Sequence, residues 1–172
     1  MWFKNLQLYR LPQGWAAEAD SFEQQLARLP LQDCGATDPR SLGWVAPRDG
    51  GSLLHSVNQQ WLIALGVEDK LLPASIVKRL ASERAREIEE TDGRRIGRRE
   101  LRELQEQMTL ELLPRAFIRR RTTFAWIDRG NGWLLVDAAS PAKAEEVLEH
   151  LRRSLDSLPA KVVKPLQSPS AA

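Results

Sequence analysis

Residues 73–114 read PASIVKRLASERAREIEETDGRRIGRRELRELQEQMTLELLP, and their periodicity decides the fold. Ile76, Val77, Leu80, Ala81, Ala85 and Ile88 recur at spacings of three and four, which places them on one face of a helix reaching about residue 90. Pro73 suits its first turn. Asp92-Gly93 stops it, because glycine takes the left-handed conformation of a helix C-terminus without steric cost. Leu101, Leu104, Met108 and Leu112 repeat the spacing in a second helix from about Arg98 to Leu113, ended by Pro114. The break between them is short, so the two helices are expected to fold back antiparallel. At ~1.5 Å rise per residue each is roughly 25 Å long, enough for the pair to project as a finger.

Strand signals flank this segment. On its N-terminal side, residues 2–11 carry Phe3, Leu6, Leu8 and Tyr9 and stop at Pro12. Ser21 with Gln24 forms a candidate capping box for a short helix bearing Phe22, Leu26 and Leu29, closed by Pro30. Residues 31–51 are rich in glycine and proline and read as loop, with a short strand at Gly43 to Ala46. Leu53 to Val57, a turn at Asn58-Gln59, and Gln60 to Leu65 read as a hairpin. On the C-terminal side, Phe117, Thr122, Thr123, Phe124, Trp126 and Ile127 are strand formers. Asp128 to Gly132 is a turn, and Trp133 to Val136 is the returning strand. Ser140-Pro141 opens a last helix with the stripe Ala144, Val147, Leu148, Leu151 and Leu155; His150 lies off that stripe and is expected to be exposed. Lys161 to Leu166 could add a strand, and residues 167–172, QSPSAA, read as a disordered tail. Strands without regular βαβ alternation give an α+β class: an antiparallel sheet with packed helices and a projecting two-helix hairpin finger at about 73–114, within a single domain spanning 1–166.

Composition narrows the function. In 172 residues, 42% apolar content and six tryptophans support a core, and 28% charged residues are ordinary for a soluble protein. No apolar run approaches the ~20 residues needed to span a bilayer, and the opening MWFKNLQLYRL lacks the features of a secretory signal. Cys34 is the only cysteine, so no internal disulfide can form. A cytoplasmic protein is expected.

Charge supplies the functional signal. Residues 94–121 contain nine arginines and four glutamates, a local balance of +5 in a chain whose net charge is +2. Guanidinium is always ionised and its planar fork matches phosphate oxygens. Arg94, Arg95, Arg98 and Arg99 fall at the tip of the helical pair. Arg115, Arg119, Arg120 and Arg121 follow the second helix, about one helix length away. Two groups so spaced form a long track, or two separate patches, rather than one pocket, and a track suits a nucleic-acid backbone better than a small ligand. A solvated face, with Arg102 and its neighbours paired to Glu100, Glu103 and Glu106, and a protein partner are the competing readings. From Arg115 to Trp126 arginine appears on both strand faces, so this is an edge strand or its start lies outside the sheet.

Catalytic signatures are poor. His55 and His150 have no cysteine or carboxylate at metal-ligand spacing. Residues 49–52, DGGS, lack the helix and lysine of a phosphate loop. Asp128 and Asp137 fit turn and capping duty better than two-metal chemistry. No enzyme activity, cofactor, metal or small-molecule substrate is expected.

Five segments agree in order and spacing with one family: MWFKNLQLYRL at the start; Cys34-Gly35 with Gly43-Trp44-Val45-Ala46-Pro47; Lys70 to Ser75; Leu112 to Phe117; and Trp126-Ile127-Asp128, Asn131-Gly132 and Val136 to Ser140. Over residues 1 to about 168 the chain resembles RdgC, the bacterial recombination-associated family. That resemblance implies a non-enzymatic, nucleoid-associated DNA-binding protein that prefers duplex with little sequence selectivity. It further implies a ring-shaped homodimer with a positive hole, and restraint of the recombinase that loads on single strands. It places Phe117 as an aromatic plug at a dimer contact and Arg94 at a basic fingertip position. Family members are nearly twice as long. With the second contact in the part absent here, the ring would stay open and the arginines would give weak, open-groove binding; the alternative is a dimerisation module whose DNA contact is lost with that part.

Overall fold

The computed structural model describes residues 3–11, 15 and 17–156. The elements in chain order are β1 (Leu6–Arg10), α1 (Ala19–Leu26), β2 (Arg40–Val45), β3 (His55–Val57), β4 (Gln60–Leu71), α2 (Ala74–Asp92), α3 (Arg98–Leu112), a 3-10 turn (Leu113–Arg115), β5 (Phe117–Asp128), β6 (Trp133–Asp137) and α4 (Pro141–Ser154). Six strands make one sheet in the order β1-β6-β5-β4-β2, with β3 also on β4. The pairs β1·β6, β3·β4 and β5·β6 are antiparallel, and the α+β expectation holds. The strand expected at 161–166 and the tail at 167–172 lie outside the described residues.

The chain divides into two compact units. One holds residues 1–32, 42–67 and 121–172; the other holds 33–41 and 68–120. In the first, α1 and α4 contribute Phe22, Leu26, Ala144, Val147, Leu148 and Leu151 to a core with Trp44, Trp61, Ile63, Ile127 and Leu134 from the strands. Phe22 lies 4.8 Å from Trp61 between ring centroids. Residues alternate across the strands, so Tyr9 is buried while Leu6 and Leu8 are exposed. The Asn58-Gln59 turn forms as read, with Asn58 at φ 55, a left-handed value that asparagine tolerates. Asp128 closes the second hairpin by accepting from the Asn131 backbone N–H at 3.0 Å and its side-chain amide at 2.8 Å. Those bonds hold its pKa below the usual carboxylate value. Asp137 accepts from the backbone N–H groups of Lys4 and Asn5 at 3.0 and 2.9 Å.

Three expectations are corrected here. Helix α1 begins at Ala19 with Glu18 at its cap and no side-chain cap bond. Ser21 is therefore already inside the helix, its hydroxyl accepting from Gln25 Nε2 at 3.2 Å. Strand β2 is longer than the glycine-rich context suggested, because residues 29–31 run beside it: Leu31 N–H donates to Trp44 O and Trp44 N–H to Leu29 O, both at 2.9 Å. A Cβ on Gly43 would lie 2.3 Å from Leu31 N and Pro30 C, so only glycine permits that approach. His150 is buried, at 3% exposure, with its ring 5.2 Å from that of Trp44. Trp44 Nε1 donates to Ser154 Oγ at 2.7 Å, and Ser154 Oγ donates to His150 O at 2.8 Å. Two polar residues on the buried face of α4 thus meet one tryptophan. Burial holds the His150 pKa below its ordinary 6.5, the Leu29 carbonyl only partly offsetting this.

In the second unit, α2 and α3 pack through Ala81, Ala85 and Leu104, flanked by Ile88, Ile96, Leu101 and Met108. All of these but Ile96 come from the stripes read from the sequence, whereas Ile76 of the first stripe is exposed.

Candidate nucleic-acid interface

The arginine-bearing turn between α2 and α3 is tied down at both sides. Gly93 takes φ 67 and its N–H donates to Glu89 O at 3.0 Å, ending α2. Ile96 N–H donates to Glu89 Oε1 at 2.7 Å, and the Ile96 side chain joins the helix–helix core. Arg94 and Arg95 are therefore exposed on a fixed turn, and Arg98 and Arg99 open α3.

That placement breaks a local rule. The N-terminus of a helix carries partial positive charge, and a cation there costs about 0.3–1 kcal/mol. Only Glu100 provides acid in the first turn of α3, and Gly97 offers no side-chain cap. Glu100 accepts from Arg94 Nη1 and Nη2 at 2.8 and 2.7 Å, which raises the guanidinium pKa and lowers that of the carboxyl. Asp92 lies 3.6 Å from Arg94 Nε. Arg99 Nε pairs with Glu103 at 3.1 Å. Arg95 and Arg98 have no carboxylate partner among the described residues.

The second group is more heavily paired. Arg115 ends the 3-10 turn and has no carboxylate partner among the described residues. Arg119 Nη2 lies 3.7 Å from Asp69 Oδ2, which also receives Arg40 on its other oxygen at 3.2 Å. Arg120 Nη2 meets Glu68 Oε1 at 2.9 Å. The Glu68 side chain is 8% exposed, and its Oε2 accepts from the Cys34 backbone N–H at 2.9 Å. Arg120 therefore neutralises a buried carboxylate. Arg121 belongs to the other unit and lies 3.4 Å from Glu146. Strand β5 is interior in the sheet order, not an edge, but it pairs with β6 only over Ala125–Asp128. Its first four residues, Phe117 to Arg120, are all exposed, which accounts for arginine on both faces.

The two groups are not gathered into one pocket: α3 separates them by ~22 Å at its helical rise. Of the eight candidates, Arg95, Arg98 and Arg115 keep their charge uncompensated by a direct carboxylate. Exposed pairs such as Arg99–Glu103 contribute only ~0–1 kcal/mol and exchange readily for a phosphate; Arg120 is held harder. Phe117 is 84% exposed, with Ile118 at 49% and Leu110 at 57%. Sequence reasoning left Arg102 out of the site, although it lies four residues after Arg98 on the same helical face. No described helix is long and apolar enough to cross a membrane.

Fold and surface together define an α+β protein that concentrates cationic side chains on one helical pair and on the start of the strand after it. Residues 1–172 match the family model described as "Putative exonuclease, RdgC", and the chain belongs to the RdgC family. It is 54% identical over 172 residues to the recombination-associated protein RdgC of Dechloromonas aromatica (strain RCB), covering 100% of this chain and 57% of that relative. The corresponding proteins of Herminiimonas arsenicoxydans and Janthinobacterium sp. (strain Marseille) are 49% and 47% identical with the same coverage. The chain thus spans a little over half the length of the relatives it matches.

Proposed function

We propose that this chain is a sequence-independent DNA-binding module acting in recombination, that it grips duplex through arginine–phosphate contacts, and that in the nucleoid it restrains recombinase loading. The supporting observation is the tip of the α2–α3 pair. Arg95 and Arg98 stand there without carboxylate partners, at a helix end where a cation opposes helix stability. A sequence keeps a local conflict of that kind where the side chain is needed for something else. Phosphate is the matching ligand, because a guanidinium fork engages its oxygens bidentately and needs no base-edge contact. Arg94 and Arg99 join by releasing Glu100 and Glu103. Arg115 and Arg119 extend the track, and Arg120 contributes least because Glu68 holds it.

The test is a salt titration of binding to two duplexes of unrelated sequence. Both should give the same affinity and the same steep negative slope of log K against log salt. A flat line, or a large difference between the duplexes, overturns the reading. Incubation of end-labelled duplex with magnesium should leave it intact; shortening from an end would instead support the exonuclease named in the family description.

The exposure of Phe117 favours a second reading, a homodimerisation module that does not itself hold DNA. An 84% exposed phenylalanine on a strand end, next to Ile118, is the kind of aromatic that anchors an interface. Sedimentation with and without duplex separates the two: in this reading Phe117→Ala lowers the dimer fraction and duplex changes nothing.

A further inference from the structure

The second unit contains an open groove that the arginine track does not use, with a volume of ≈ 450 Å³. Its bed is apolar, made by Leu72, Ala74, Val77 and Leu113 from the start of α2 and the end of α3. Its rim is cationic. Lys78 and Arg102 are exposed and have no carboxylate partner among the described residues, and Lys70 stands at one end. Lys70 Nζ donates to Gly35 O and Ala36 O at 2.5 Å each, so it anchors the 33–41 segment while its charge remains. Glu106 is the only acid on the rim.

We infer that this groove takes an acidic peptide segment carrying an apolar side chain, the side chain seated on the bed and the carboxylates against Lys78 and Arg102. Three features favour that occupant. A nucleic-acid backbone has no use for an apolar bed, and a free phosphate would leave most of the volume empty. The size fits one or two aliphatic or aromatic side chains. Glu106 and the Thr109 hydroxyl oxygen can accept the peptide's backbone N–H groups, whereas a polyanion offers them nothing. Phe117 of a second copy is the less complementary occupant, because Arg115, two residues before it and without a carboxylate partner among the described residues, would meet like charge at the rim, and Phe117 brings no carboxylate of its own. The inference is independent of the DNA-binding reading.

The probe is a fluorescent peptide, Asp-Glu-Asp-Glu-Leu-Leu, titrated with the whole chain and read by anisotropy. Binding should weaken about tenfold when serines replace the two leucines, since those side chains supply the apolar burial. It should weaken by about the same factor in K78E/R102E, two exposed positions whose change leaves the helix–helix core intact. Ala74→Trp, which fills the groove, should abolish it. R95A/R98A should leave it unchanged, which separates this groove from the DNA track. Equal binding of the serine peptide, indifference to K78E/R102E, or no binding at about 1 mM overturns the inference. So does loss of self-association in Ala74→Trp without peptide binding, which would assign the groove to a second copy.

Discussion

Replacing Arg95, Arg98 and Arg115 together with alanine removes the three candidate guanidiniums that have no direct carboxylate partner in the described structure. Each phosphate neutralised on duplex contributes about −0.9 to the slope of log K against log salt, so the triple variant should lose about 2.7 from that slope. Between about 50 and 200 mM salt, a fourfold change, this shrinks the affinity ratio by about fortyfold. The comparison variant is R94A/R99A. Its two arginines already share their charge with Glu100 and Glu103, so its slope should change by less than the roughly 1.8 expected of two free cations. Fluorescence anisotropy on one labelled duplex at four salt concentrations measures both. Unfolding is not a confounding explanation: all three positions are exposed, and removing Arg98 relieves a cation at the N-terminus of α3, stabilising it by about 0.3–1 kcal/mol. A triple variant with the wild-type slope, or one that affects one sequence and not another, refutes the argument.

Phe117→Ala should leave the unfolding free energy from urea titration within about 0.5 kcal/mol of wild type, because the ring is 84% exposed, while the dimer fraction in sedimentation falls. An unchanged dimer fraction would remove Phe117 from any interface. Stability should decline on acidification because of His150. Its folded pKa lies below the ordinary 6.5, so the neutral form's contribution is complete above that value. It is lost as pH falls through the lower folded pKa, and His150→Gln should flatten that part of the curve. Gly43→Ala should destabilise by several kcal/mol, since the new methyl would overlap Pro30 and Leu31 backbone at 2.3 Å; a wild-type thermal midpoint would contradict the close approach.

What was legible in the sequence is what neighbours decide. The stripes of α2 and α3, the Gly93 stop and the Ser140 cap on Lys143 N–H depend on residues within a few positions of one another. The pair Arg99–Glu103, four residues apart on one helix, is visible the same way, whereas Arg94–Glu100, six apart across the turn, is not. The carboxylates facing Arg119 and Arg120 were not, because Glu68 and Asp69 come from β4, some fifty residues earlier. His150 misled for a related reason. It lies three residues after Val147, flanking the apolar stripe, and only the arrival of Trp44 from a distant strand turns that flank inward. The burial of Ser154, four residues further on, needs the same tryptophan.

The excursion that carries α2 and α3 leaves the sheet at the end of β4 and re-enters it at β5, two strands that are neighbours in the order. Everything between them is helix or turn. Adding about seven residues to each helix would lengthen the pair by two turns, roughly 11 Å, without shifting the pairing of a single strand. Descendants of this gene could therefore adjust the span of the cationic tip by insertion and deletion alone, with the tryptophan-rich core left as it is.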